Sequence, residues 1–111
     1  MAVIEIRRYV SPTGKDVFGD WLSRLADIRA KARILARIDR LAVGNTGDSK
    51  QLRGGISELR IDWGPGYRVY YAWLGKACVL LLCGGDKRRQ SSDIARALEY
   101  LKDYKERTAK P

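Results

Sequence analysis

The sequence predicts a single α+β domain with a mostly antiparallel four-stranded sheet and helices packed on one face, in the order β-α-α-β-β-β-α. Three observations predict it. Residues 16–43 carry apolar side chains at spacings of three and four, the period of helices. Residues 58–74 switch to alternation with period two, followed by an unbroken apolar run at 77–83. Residues 93–107 return to helical spacing. Strands grouped after helices and joined by short turns argue for a segregated antiparallel sheet rather than for repeated βαβ units. With 111 residues, the chain is read as one domain, 1–111, large enough to build a core without disulfide or metal staples.

The first strand is expected over residues 2–10, from the β-branched and aromatic character of IEIRRYV, although Arg7-Arg8 blurs its alternation. Ser11-Pro12-Thr13-Gly14 breaks it. A short helix follows over 16–25, where Val17, Phe18, Trp21, Leu22 and Leu25 form one stripe. A second runs over 28–43 and stops at Gly44-Asn45. Ile34, Leu35, Ile38, Leu41 and Ala42 are expected to face the core, and Arg29, Arg33, Arg37 and Arg40 the outside. That arginine row reads either as a solvated face or as a docking surface for an acidic partner.

A loop over 44–50 and the run Gln51-Leu52-Arg53-Gly54-Gly55 lead into three strands. In the first, Leu59, Ile61 and Trp63 alternate with Glu58, Arg60 and Asp62; in the second, Tyr67, Val69, Tyr71 and Trp73 alternate with Arg68, Tyr70, Ala72 and Leu74. Trp63-Gly64-Pro65-Gly66 supplies the turn between them. The third strand, 77–83, is apolar at every position, so it should be central and buried on both faces. Gly84-Gly85-Asp86 releases the chain, and Ser91 or Ser92 is expected to cap a last helix over 93–107, with Ile94, Leu98, Leu101 and Tyr104 as its buried stripe.

The register of the hairpin carries the functional signal. Matching the apolar faces pairs Leu59 with Val69 and Ile61 with Tyr67, which sets Arg60 directly opposite Arg68. Like charges in that position destabilise a hairpin by a few tenths to about 1 kcal/mol. An anion bridging the two guanidinium groups reverses the sign, and their planar forks suit phosphate oxygens. The competing reading is that Glu58, Asp62 or helix carboxylates neutralise both arginines in a solvated face. If the third strand neighbours the second through Leu74-Gly75-Lys76, the loop Asp86-Lys87-Arg88-Arg89-Gln90 approaches the arginine pair; otherwise it points into water.

Composition narrows the classes. Twenty-two Lys and Arg against 13 Asp and Glu give a net charge of +9, which favours a polyanion or an acidic protein over a neutral metabolite. No apolar run approaches the roughly 20 residues of a membrane span, and MAVIEIRRYV does not resemble a signal peptide, so a cytoplasmic protein is expected. Cys78 and Cys83 lie five residues apart in one strand, about 17 Å at 3.3–3.4 Å per residue, too far for a disulfide. With two cysteines and no histidine a zinc site is not expected, and neither is any cofactor. The Walker pattern is absent, and Thr13-Gly14-Lys15 lacks its first glycine.

The runs ELRIDWGPGYRVYY, LLLCGGDKRRQ and DIARALEYLKDYKER resemble the addiction-module killer proteins of the RelE/ParE toxin superfamily, nearest its HigB-like, phage-derived branch, and the resemblance covers nearly the whole chain. It implies a RelE-like fold and a toxin of a type II toxin-antitoxin module. Such toxins typically act as metal-independent endoribonucleases on messenger RNA at the translating ribosome. They are held silent by a cognate antitoxin, in this branch usually a helix-turn-helix DNA-binding protein. It further implies that Arg68, in the GYR motif, stabilises the transition-state phosphate. Arg60 stands where RelE toxins carry a lysine, and Lys87 and Arg88 match their Lys-Arg pair. Arg60, Arg68, Lys87 and Arg88 are thus the expected catalytic set, with Arg53, Tyr70, Arg89 and Gln90 as RNA contacts and Tyr70 stacking a base. Two departures stand out: the family's tyrosine falls on Ile94 and its other upstream lysine on Glu58, and both weaken any claim that RelE's acid-base scheme is copied.

Cleavage by attack of a 2′-hydroxyl on its own phosphodiester needs a base, a stabiliser of the phosphorane and an acid for the leaving 5′-oxygen. Arginines suit only the middle role. With no histidine, proton transfer falls to Lys87, Glu58, Asp86 or Tyr70. Two other readings remain: a ParE-like toxin that inhibits DNA gyrase by binding alone, and an RNA-binding or degenerate toxin partner without activity.

Overall fold

Two aspartates set the helices in place in the computed structural model, which describes residues 3–109. The Asp16 carboxylate accepts from the Gly19 N–H at the start of α1 (Val17–Arg24), and Asp27 accepts from the Arg29 and Ala30 N–H groups at the start of α2 (Ile28–Ala42). Before them lies β1 (Glu5–Arg8), shorter than expected because its ladder with the last strand spans only four residue pairs, Glu5 with Cys78 to Arg8 with Leu81; Ala2, the expected first residue, lies outside the described residues. After them come β2 (Ser49–Gln51), β3 (Ile56–Ile61), β4 (Tyr67–Trp73), β5 (Cys78–Asp86), a 3₁₀ turn (Lys87–Arg89) and α3 (Gln90–Thr108).

The strands form one five-stranded sheet in the order β1-β5-β4-β3-β2, in place of the expected four. The additional strand is β2, three polar residues on the rim of β3 with Lys50 opposite Glu58. A short, polar edge strand has no hydrophobic period to betray it and resists edge-to-edge pairing. β1 runs parallel to β5 and all other pairs are antiparallel. The β3–β4 register is the one expected from side-chain alternation: Leu59 opposes Val69, Ile61 opposes Tyr67 and Arg60 opposes Arg68.

Helices cover both faces of the sheet, not one. Phe18, Leu22, Ile34, Ile38 and Leu41 from α1 and α2 pack on Leu59, Ile61, Val69, Tyr71, Val79 and Leu81. On the opposite face Ala97 and Leu101 of α3 pack with Tyr9, Ile56, Tyr70, Ala72, Leu80 and Leu82. The second layer follows from β5 and β4, which carry apolar side chains on both faces and so need a cover on each. Within α2 the buried stripe is Ala30, Ile34, Ile38 and Leu41. Leu35, expected in the core, is 41% exposed because it lies about 100° round the helix from Ile34.

A bulge in β5 prepares its C-terminal end. Tyr71 pairs with Leu81 but Tyr70 pairs with Cys83, leaving Leu82 over and shifting the alternation. Gly84 then lies under Trp21, where an added Cβ would sit 2.2 Å from the ring, and Gly85 lies under Asp93, where a Cβ would meet Oδ2 at 1.9 Å. α3 begins at Gln90, three residues earlier than expected. Neither Ser91 nor Ser92 caps it: its N-cap is Arg89, without a side-chain cap bond, while Asp86 caps the preceding 3₁₀ turn by accepting from the Arg88 N–H, and the Ser92 hydroxyl donates back to the Arg89 carbonyl. Cys78 and Cys83 are both free thiols. No helix among the described residues is long and apolar enough to cross a membrane.

Candidate active site

The mouth of the β3–β4 hairpin opens into a cavity of about 580 Å³ that gathers Arg60, Arg68 and Lys87 with Asp48, Asp62 and the Gly64-Pro65-Gly66 turn. The turn is built for close approach: Gly64 and Gly66 take φ of 56° and 82°, and the Gly66 N–H donates to the Trp63 carbonyl. The Gly66 carbonyl is the hinge of the site. It accepts from the Lys87 N–H at 2.9 Å and from Arg68 Nη1 at 3.3 Å, so the hairpin and the turn after β5 are bolted together where the cations meet.

The two arginines differ in exposure and partner. Arg60 keeps 38% of its side chain exposed and donates from Nε and Nη2 to Asp48 Oδ1 at 3.0 and 2.7 Å. Arg68 is 12% exposed and its Nε lies 2.9 Å from Oε1 of Glu58, itself 4% exposed. The N–H is not directed at that oxygen, so the contact is ionic and Nε has no hydrogen-bond partner. Gln90 Nε2 sits 3.4 Å from both oxygens of Glu58 and closes the pair from the α3 side. Internal acids therefore do accompany both arginines, one at the surface and one in the interior. Asp48 belongs to the loop before β2, whose backbone carbonyls at Thr46 and Asp48 accept from Arg37 Nη2 at 3.2 Å. Arg37, read from the sequence as an outward residue, thus fixes the loop that carries Arg60's partner.

The remaining expected residues separate. Arg88 turns away, pairs with Asp86 at 3.0 Å and lines a different cavity together with Arg89. The cause is the Asp86 cap, which holds the Arg88 N–H and its guanidinium on the same carboxylate. Tyr70 is buried under α3 with no partner for its hydroxyl, and burial pushes its pKa up, so it cannot stack a base. Arg53 is exposed at the β2–β3 turn, away from the hairpin cavity. Among the four proton carriers expected from the sequence, only Lys87 lines the cavity; Glu58 is buried and Asp86 lies in the other cavity. Asp48 and Asp62 are the carboxylates that do line it. The rule of pairing strands and helices does not reach Asp48; the signal for it is only a turn-type Asn-Thr-Gly-Asp run just before a polar tripeptide.

The arginine row of α2 borders a separate groove of about 530 Å³ formed with Ile61 and Asp62. There the Arg33 guanidinium lies 3.9 Å from the ring centre of Trp63, whose Nε1–H donates to Asp27 at 3.0 Å and holds that carboxyl below its usual range.

A protein of Haemophilus influenzae described as uncharacterized is 56% identical over 80 residues, covering 72% of this chain and 81% of that relative. Residues 20–106, which contain β3, β4, β5 and the Lys87 turn, match the family model for "Phage derived protein Gp49-like (DUF891)". A match over that share of the sequence means that the chain belongs to the Gp49-like family of phage-derived proteins, a family of the RelE/Gp49 toxin type.

Proposed function

We propose that this protein is the toxin of a type II toxin-antitoxin module and cleaves messenger RNA on the ribosome, with the hairpin cavity as its active site. The observation that carries the reading is the convergence of Arg60, Arg68 and Lys87 on one cavity beside two carboxylates. Arg60 is the residue positioned to take a phosphate, because its guanidinium is accessible and Asp48 is a replaceable surface partner. When phosphate takes Asp48's place, the freed carboxylate can accept the 2′-hydroxyl proton. Arg68, held by Glu58 and the Gly66 carbonyl, presents a fixed positive charge that needs no rearrangement as the phosphorane forms. Lys87 is the acid for the leaving 5′-oxygen. So spare a set of groups gains from a ribosome that orients the message. A cognate antitoxin of the helix-turn-helix type would silence such a basic site by charge pairing and occlusion.

Primer extension on messenger RNA after induction, comparing wild type with Arg60→Ala and Lys87→Ala, tests this. New 5′ ends in wild type that disappear in both variants support it. Growth arrest with intact message and altered DNA supercoiling would overturn it in favour of a ParE-like toxin that binds gyrase. The observation on that side is that both arginines already have internal acids.

A further inference from the structure

α2 is apolar on two sides. Its inner stripe of Ala30, Ile34, Ile38 and Leu41 is buried. On the outer side Ile28, Ala32 and Leu35 fall at spacings of four and three, so they share one line on the helix surface, with Ala36 beside them. Ile28 is 79% exposed and Leu35 41%, and Val43 at the C-cap is 52% exposed. Half of the large hydrophobic side chains left exposed among the described residues thus belong to this one helix and its cap. Single exposed apolar residues are ordinary, whereas a contiguous row marks a surface that another molecule covers.

Next to that row runs a basic one. Arg29, Arg33, Arg37 and Arg40 border the groove that α2 forms with Ile61 and Asp62. From Arg29 to Arg40 the row covers about 16 Å at 1.5 Å per residue, or about three helical turns. Seven arginines elsewhere in the chain pair with a carboxylate, and none of these four does among the described residues. Arg37 is spent on the backbone carbonyls of Arg60, Thr46 and Asp48. Arg33 rests its guanidinium on the Trp63 ring, and Arg29 and Arg40 stand at the two ends. The acids on this side are Asp39 and Asp62, so the surface stays net positive.

We propose that the outer face of α2 is a docking surface for an amphipathic helix of a partner protein. The partner's apolar stripe covers Ile28, Ala32 and Leu35, and its acidic flank enters the groove to meet Arg29, Arg33 and Arg40. The small side chains of Ala32 and Ala36 let a second helix axis approach closely, and helices pack through ridges that repeat at the same spacings of three and four. Arg29 and Arg33, four residues apart, repel each other in the free chain, and a carboxylate laid between them reverses the sign. An RNA strand suits this face less well. Its phosphates pair with arginines but gain nothing from Ile28 or Leu35, and the Trp63 ring is taken up by Arg33 instead of being free to stack a base. The inference goes beyond the nuclease reading and stands without it. The groove shares Asp62 with the hairpin cavity, so a partner seated here lies alongside that cavity and not in it.

The probes are three helical peptides of about 15 residues that share a stripe of Leu and Ala and carry Glu, Gln or Lys along its flank. Each is titrated into the isotope-labelled full chain and followed by NMR. The Glu peptide should bind at least about tenfold tighter than the Gln peptide, shift the amides of residues 28–43 and weaken as salt rises, while the Lys peptide should not bind. Arg29→Glu/Arg40→Glu and Leu35→Asp, all at exposed positions, should each abolish binding with the melting temperature unchanged. Arg24→Glu/Arg53→Glu, which reverses the same charge outside the groove, should leave binding intact. Equal binding of the three peptides, binding by none, shifts away from α2, loss in the Arg24/Arg53 variant, or persistence in Leu35→Asp would overturn the proposal. A uridine oligonucleotide that shifts α2 and displaces the Glu peptide would overturn it in favour of RNA. A dimer of the free chain in sedimentation that Leu35→Asp dissolves would overturn it in favour of a second copy.

Discussion

Arg68→Ala should weaken the fold as well as any activity, and the size of that loss follows from Glu58. The carboxylate is 4% exposed, with the guanidinium at 2.9 Å and the Gln90 amide at 3.4 Å as its polar neighbours. Removing one member of a buried ion pair leaves a desolvated charge and costs about 3–5 kcal/mol. A domain of this size has a total stability of about 5–15 kcal/mol, and each kcal/mol corresponds to about 4 °C in Tm, so a drop of about 12–20 °C is expected. Replacing both members by apolar side chains, as in Glu58→Leu/Arg68→Met, should recover most of it, because no orphaned charge remains. Urea melts of the wild type, both single variants and the double variant form the cycle. Single variants within about 1 kcal/mol of wild type, or a double variant at the sum of the singles, would refute the claim that this pair is structural.

Asp93 supplies a pH signature. Burial raises its carboxyl above the ordinary 3.8 despite the opposing pull of Arg96. The folded state thus binds that proton more tightly than the unfolded chain. Its contribution to stability is fully present below the unfolded value and is lost as pH rises through the folded one. Asp93→Asn should gain stability relative to wild type near neutral pH and lose that advantage below about pH 4, read by thermal melts across pH. Gly84→Ala drives a methyl into the Trp21 ring and should destabilise by about 1–3 kcal/mol, with a changed Trp21 environment by near-UV circular dichroism. Burial pushes the Cys83 thiol up to about 12, so alkylation of native protein at pH 8 should label Cys78 first and Cys83 only on unfolding, as mass spectrometry of peptides would report.

Much of this was legible in the residues, for reasons that also explain what was not. The β3–β4 register follows from strict alternation, because a slip by one would expose Leu59, Ile61 and Val69 together. Asp16 and Asp27 mark helix starts by their chemistry. The second helical layer was present in the sequence as Leu80 and Leu82, in a strand read as buried on both faces, beside Tyr70 and Ala72, an apolar area that helices on one face alone leave uncovered. β2 was hidden, since three polar residues have no period. The site was half legible: opposition of Arg60 and Arg68 follows from register, but Arg88's direction depends on a cap by Asp86, and Asp48 reaches Arg60 only through a loop held by Arg37.

In the proposed function, the accessible guanidinium of Arg60 grips a phosphodiester for cleavage. The most direct measurement adds purified wild-type and Arg60→Gln proteins to ribosomes translating a defined message and maps the RNA ends. Discrete cuts bearing 2′,3′-cyclic phosphate are expected with wild type and none with Arg60→Gln at equal folded concentration. Identical cuts from both proteins, or translation blocked with the message uncut, would contradict it.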